Sequence, residues 1–211
     1  MGIEIMIDNP KIQIVLQRLL LVEGKDEENF FNAFFKELDI DNIQIIVTGG
    51  KRKLKGNIEA LIKIPNFEDI VTIGIIQDSD DNYNATMDRI FNSLDNVGLS
   101  SIKQQGLFSS HSPAIGIFIM PGEGEKGALE DLCLKAVHSD PVVTCVESFI
   151  NCIRELTPSV SKISKRFCAA YLAGKKELVS SVGLAAHKKY WNFSSPVYSN
   201  LKDFLFKLSH Q

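Results

Sequence analysis

The chain has no Cys-x-x-Cys pair and no histidine at zinc-ligand spacing. Cys133, Cys145, Cys152 and Cys168 stand apart, and His111, His138, His187 and His210 are scattered. A zinc-stapled scaffold is therefore excluded, and the cysteines read as reduced core residues of a cytoplasmic protein. Positive charge is not in excess either. With 23 Lys and Arg against 26 Asp and Glu, the formal net charge is −3. That excludes a protein that coats nucleic acid by bulk electrostatics, while leaving room for a local basic patch. No apolar run approaches the ~20 residues that span a bilayer, and residues 1–9 carry acids where a secretory leader needs a basic start. No Gly-Lys-Ser/Thr follows a glycine-rich loop and no Gly-x-Ser-x-Gly elbow occurs, so neither a P-loop nor a serine hydrolase is indicated. Neither an internal repeat nor a Gly/Ser/Pro-rich linker divides the 211 residues, a length suited to one well-buried core.

What is present is a pair of aliphatic runs that stop abruptly at carboxylates. Arg18-Leu19-Leu20-Leu21-Val22 ends at Glu23-Gly24, and Ile73-Gly74-Ile75-Ile76-Gln77 ends at Asp78-Ser79-Asp80. Continuous apolar runs bounded in this way are strands buried on both faces. The pattern predicts strands over residues 16–22, 43–47, 70–77 and 114–120, alternating with helices over 26–38, 57–64 and 84–94. Asp26 is placed as the cap of the first helix, whose Phe30, Phe31, Phe34, Phe35 and Leu38 recur at helical spacing. Alternating strands and helices imply a parallel sheet with right-handed crossovers. If Glu23 and Asp78 serve one site, the first and third strands are neighbours and the order is 2-1-3-4. Beyond Gly127 the strand signals vanish, and residues 128–137, 142–156, 160–172, 176–188 and 201–208 read as helices. The expected architecture is an α/β core over residues 1–137 with an all-helical extension over 138–211 packed on it, together one structural domain. Residues 1–12 give no pattern beyond an extended edge segment or a loose tail.

Ligands of parallel sheets bind beyond the carboxyl ends of the strands, so every loop at that edge is a candidate. Strand alternation sends Asp78 and Asp80 to one side, with Ser79 opposite. Acidic groups gathered there repel unless a proton or cation lies between them, and hard oxygen donors favour Mg²⁺ or Mn²⁺. Glu23 is either a further ligand or a general acid/base. After the fourth strand, Pro121 to Gly127 forms a glycine-rich loop leading to Glu130 and Asp131 in the first turn of a helix. There the two acids either favour the helix dipole or add a metal ligand, with Glu130 ahead of Asp131. After the second strand, Gly49-Gly50 leads into a basic turn, Lys51-Arg52-Lys53, which is either solvated or holds phosphate beside the metal. Trp191, with Tyr190 and Phe193, reads as a packing plug.

An apolar strand ending in Glu23-Gly24, followed by one ending in Asp78-Ser79-Asp80, resembles the Toprim domain. With Lys25-Asp26-Glu27 entering a helix, it is most similar to small standalone relatives of the OLD-family nucleases, over roughly residues 16–137. The resemblance implies a Rossmann-like parallel sheet and metal-dependent phosphoryl transfer on DNA or RNA. Mg²⁺ or Mn²⁺ would lie at Asp78, Asp80 and Glu130, with Glu23 catalytic and Gly24, Lys51, Arg52 and Lys53 at the phosphate. A protein partner would supply specificity. Two other functions fit the same residues: a non-catalytic Toprim-like binding or regulatory module, and a small-nucleotide phosphohydrolase.

Overall fold

The computed structural model of the chain describes residues 13–211, so the expectation for residues 1–12 lies outside the described residues. Four parallel strands form the sheet: β1 (Arg18–Val22), β2 (Gln44–Val47), β3 (Thr72–Asp78) and β4 (Ala114–Met120). Their order is β2-β1-β3-β4, as the strand ends predict. β1 pairs with β3 from Arg18↔Thr72 to Leu21↔Ile75, and β3 runs beside β4 as far as Asp78↔Met120.

Strand alternation divides the core in two. Leu19, Leu21, Ile73, Ile75, Ile115, Ile117 and Ile119 face one layer, which contains α2 (Leu54–Leu61) and α3 (Tyr83–Asp95). Leu20, Val22, Ile76, Phe118 and Met120 face the other. That second layer contains α1 (Lys25–Glu37), α4 (Leu129–Ala136), α5 (Val142–Leu156), α6 (Ile163–Ala173), α7 (Val182–His187) and α8 (Ser199–His210). The late helix α8 lies against β3 and β4, with Phe204 and Leu208 filling the space above Gly74. The α1 phenylalanines are buried; Phe30 and Phe34 pack on Phe193 and Tyr198. Trp191 is buried with its indole N–H donated to the Val182 carbonyl at 2.8 Å. Among the described residues, no helix is long and apolar enough to cross a membrane.

Four expectations need correction. The basic segment is helical: Lys51–Lys53 is a 3₁₀ turn running directly into α2. Gly49 and Gly50, both with positive φ (71° and 103°), complete the turn alone, and the good helix formers that follow continue without a break. Gly24, not Asp26, occupies the N-cap of α1. The Asp26 carboxylate reaches across to α7 and accepts from the amides of Val182 (3.2 Å) and Gly183 (2.8 Å). For the same reason the helix expected over 176–188 begins only at Val182, where Ser181 and Asp26 take its free amides. Finally, only Cys133 and Cys168 are core residues. Cys145 and Cys152 are exposed on α5, whose buried face is Val143, Val146 and Ile150.

Candidate functional site

The site grows from two strand ends. β1 delivers Glu23 and β3 delivers Asp78, and the Asp78 amide donates to Glu23 Oε1 at 3.3 Å. Asp78 is buried at 8% exposure, and its Oδ1 accepts from the Leu129 amide at the start of α4, 3.0 Å away. A carboxylate at a helix N-terminus is favoured by the dipole and the free amide together. Asp80 does not follow the alternation expected of it. The strand ends at Asp78, and Asp80 sits in the left-handed region at φ 49°. Its backbone is locked to the loop after β4 by two hydrogen bonds, Asp80 N–H to Gly127 O (2.9 Å) and Gly127 N–H to Asp80 O (2.8 Å). Gly127 is required there twice: its φ is 134°, and a Cβ would lie 2.5 Å from the Asp131 carboxylate. The Asp80 carboxylate consequently faces Lys51, while that of Asp78 faces α4.

Lys51 is the cation between the two strand ends. Its ammonium donates to the Asp78 carbonyl (2.8 Å) and to Asp80 Oδ2, and it lies 3.8 Å from Glu23 Oε1. The preceding turn holds it in place: Gly50 N–H donates to Glu23 O (3.0 Å), and Thr48 donates both its amide and its hydroxyl to Val22 O. Lys53, two positions on, does not join it. Lys53 folds back over Gly49, and the Arg52 side chain lies outside the described ones. Gly24 has extended backbone (φ −146°) that any residue adopts, so no sharp turn depends on it. What its small size allows is the approach of Glu27, whose carboxylate would lie 3.1 Å from a Cβ at that position.

Glu27 and Lys165 belong to the cleft although neither was among the predicted site residues. Glu130 and Asp131, adjacent in sequence, part company. Glu130 Oε1 faces Lys165 Nζ at 3.3 Å, whereas Asp131 caps its own helix through the Ala128 amide (2.8 Å) and accepts from Ser164. Burial pushes Asp78 well above the ordinary carboxylate range, with Glu23, Glu27 and Glu130 adding to it and Lys51 opposing. Glu23 is raised by burial against the pull of Lys51. Glu27 is raised by burial, with Asp26 and Glu130 adding their repulsion. Burial draws Lys165 down, but the surrounding carboxylates, Glu130 first, outweigh it and leave it raised.

Such a donor set, all carboxylates under mutual repulsion, matches the chemistry that a hard divalent cation requires. As placed, however, no three His, Cys, Asp or Glu side chains among the described residues converge on one point that could hold an ion. Glu23 and Asp80 close on the Lys51 ammonium instead.

A family model described as "Protein of unknown function (DUF3226)" matches residues 17–210. Among solved structures, the C-terminal region of the Burkholderia pseudomallei OLD protein is similar with a TM-score of 0.52 and 13% identity, over 92% of this chain and 100% of that one. The C-terminal region of the Xanthomonas campestris pv. campestris OLD protein gives a TM-score of 0.48 and 17% identity, over 92% of this chain and 96% of that one. The likeness to the Burkholderia structure is one of fold. No curated protein matches the chain.

Proposed function

The chain belongs to the family described as Protein of unknown function (DUF3226), and from that premise we propose that it is a Toprim-type, metal-dependent phosphoryl-transfer enzyme that cleaves nucleic acid. The observation that carries this reading is the meeting of Glu23 and Asp78 across adjacent parallel strands, 3.3 Å from carboxylate to amide. Both carboxyls are raised by burial, an arrangement that a cation relieves. Asp78, Asp80 and Glu130 would hold Mg²⁺ or Mn²⁺, with Glu23 as a further ligand or as the group that moves a proton. When bound, the metal would polarise a phosphoryl oxygen. Lys51 and Lys165, from opposite ends of the sheet edge, would offset the charge of a bound phosphate. A protein partner supplying specificity remains part of this proposal.

The formal net charge of −3 favours a second reading, a binding module that keeps the fold and the metal without turnover. One assay separates the two. Plasmid, single-stranded DNA, RNA and free nucleotides are incubated with Mn²⁺ and either the parent or Asp78→Asn. The proposal expects cleavage of a polymer by the parent, lost in the variant. Mn²⁺ binding without cleavage of any substrate would move the assignment to the module, and turnover of free nucleotides alone to a small-nucleotide phosphohydrolase.

A further inference from the structure

Lys51 is held too well for a surface lysine. Its side chain is only 17% exposed, and its ammonium lies at three oxygens at or just beyond the ends of two strands: the Asp78 carbonyl, Asp80 Oδ2 and, at 3.8 Å, Glu23 Oε1. Both sides of this contact are fixed from behind. The Gly49–Gly50 turn is tied to Glu23 O, and the Asp80 backbone is bonded in both directions to Gly127. Ammonium and hard metal ions seek the same partners, carboxylate and carbonyl oxygens. The two cannot share these oxygens, because like charges a few ångströms apart in a partly covered cleft repel strongly.

We propose that Lys51 is a built-in counter-ion that occupies the cation position between Glu23 and Asp80 and must withdraw for a divalent ion to bind there. The inference rests on reading the cleft as a metal centre. It accounts for the geometry of two of the acids: Glu23 and Asp80 close on an ammonium where a cation would lie. It also makes the metal-free and metal-bound protein respond oppositely to the removal of Lys51. Without the ammonium, the metal-free protein keeps Glu23 and Asp80 unneutralised and is less stable. With metal, the competitor is gone and binding is tighter. A lysine that merely supported the fold would weaken both states alike.

The test titrates Mn²⁺ into the full chain, following free Mn²⁺ by electron paramagnetic resonance, for the parent, Lys51→Met, Lys51→Arg and Lys53→Met. Lys51→Met is expected to bind about tenfold more tightly than the parent, the scale of one ion-pair competition in a partly screened site. Lys51→Arg, which keeps the charge, and Lys53→Met, which lies outside the cleft, should stay near the parent. Melting without metal should place Lys51→Met below the parent, and melting with saturating Mn²⁺ should narrow or reverse that gap. If Lys51→Met does not fold, Lys51→Gln is read in the same way. An unchanged or weaker affinity in the methionine or glutamine variant overturns the counter-ion role while leaving the metal centre standing. Failure of both parent and variant to bind Mn²⁺ overturns the two together.

Discussion

The two walls of the cleft pair their charges in opposite senses. On the β2 side the ammonium is covered and the acid bonded to it open: Lys51 is 17% exposed and Asp80 61%, with covered Glu23 farther off at 3.8 Å. On the α4–α6 side the acid is covered and the ammonium open: Glu130 is 14% exposed and Lys165 60%. Covered charges are the ones whose desolvation must be offset locally, whereas open ones are screened by water and salt. On the Lys51 wall a covered ammonium thus lies against both acids. On the other side Glu27, Asp78 and Glu130 raise one another, Lys165 is open to water and Lys51 offsets only part of the charge on Asp78, and that is where repulsion accumulates.

The largest expected effect breaks both walls at once. Asp78→Asn with Asp80→Asn should abolish stabilisation by Mn²⁺, which for the parent amounts to about 2.7 kcal/mol at a hundredfold excess over Kd. Thermal melts with and without metal measure it, and a double variant that still responds like the parent places the ion elsewhere. Next comes the acid-rich wall alone. Asp78 and Glu27 have raised folded-state values, so the stability their protonated forms contribute is fully present below the ordinary carboxylate range and is lost as pH rises through the raised values. Metal-free protein should therefore lose stability from mildly acidic to neutral pH through these groups. Asp78→Asn should flatten that slope and raise metal-free stability at neutral pH, on the order of 1–2 kcal/mol. Chemical denaturation in chelator across that pH range checks it; a slope unchanged by the substitution would mean that the acids are not coupled. The smallest effect is expected at the screened cation. Lys165→Met should cost less than ~0.5 kcal/mol in stability. It should nevertheless weaken oligonucleotide binding and shallow its salt dependence, as loss of one phosphate contact does. A stability loss comparable to that of a buried pair would erase the difference between the walls.

How much of this was legible beforehand follows from the range over which each residue acts. The strands announced themselves because a run buried on both faces is a local property of the chain, and requiring one site for Glu23 and Asp78 ordered the sheet. Glu27 left a faint trace, lying one helical turn beyond Glu23. Lys165 left none, since it meets Glu130 across 35 positions and through the packing of α6 on α4. Lys51 was visible as one of three basic residues, but only the left-handed Gly49–Gly50 turn separates it from Lys53. Asp26 looked like a cap because its chemistry is that of a cap; the helix it serves lies 156 residues away.

That last contact has a consequence for how the protein comes into being. During synthesis at about 5–20 residues per second, Gly183 is added roughly 8 to 30 s after Asp26. Through that interval the carboxylate beside Glu27 waits without its partner, and α1 has no α7 to rest on. The nascent chain can lay down its strands early, but the Asp26 contact that docks α7 on α1 forms only once residues 182 and 183 have been made. A polypeptide halted before residue 182 therefore carries the residues of the site without that contact.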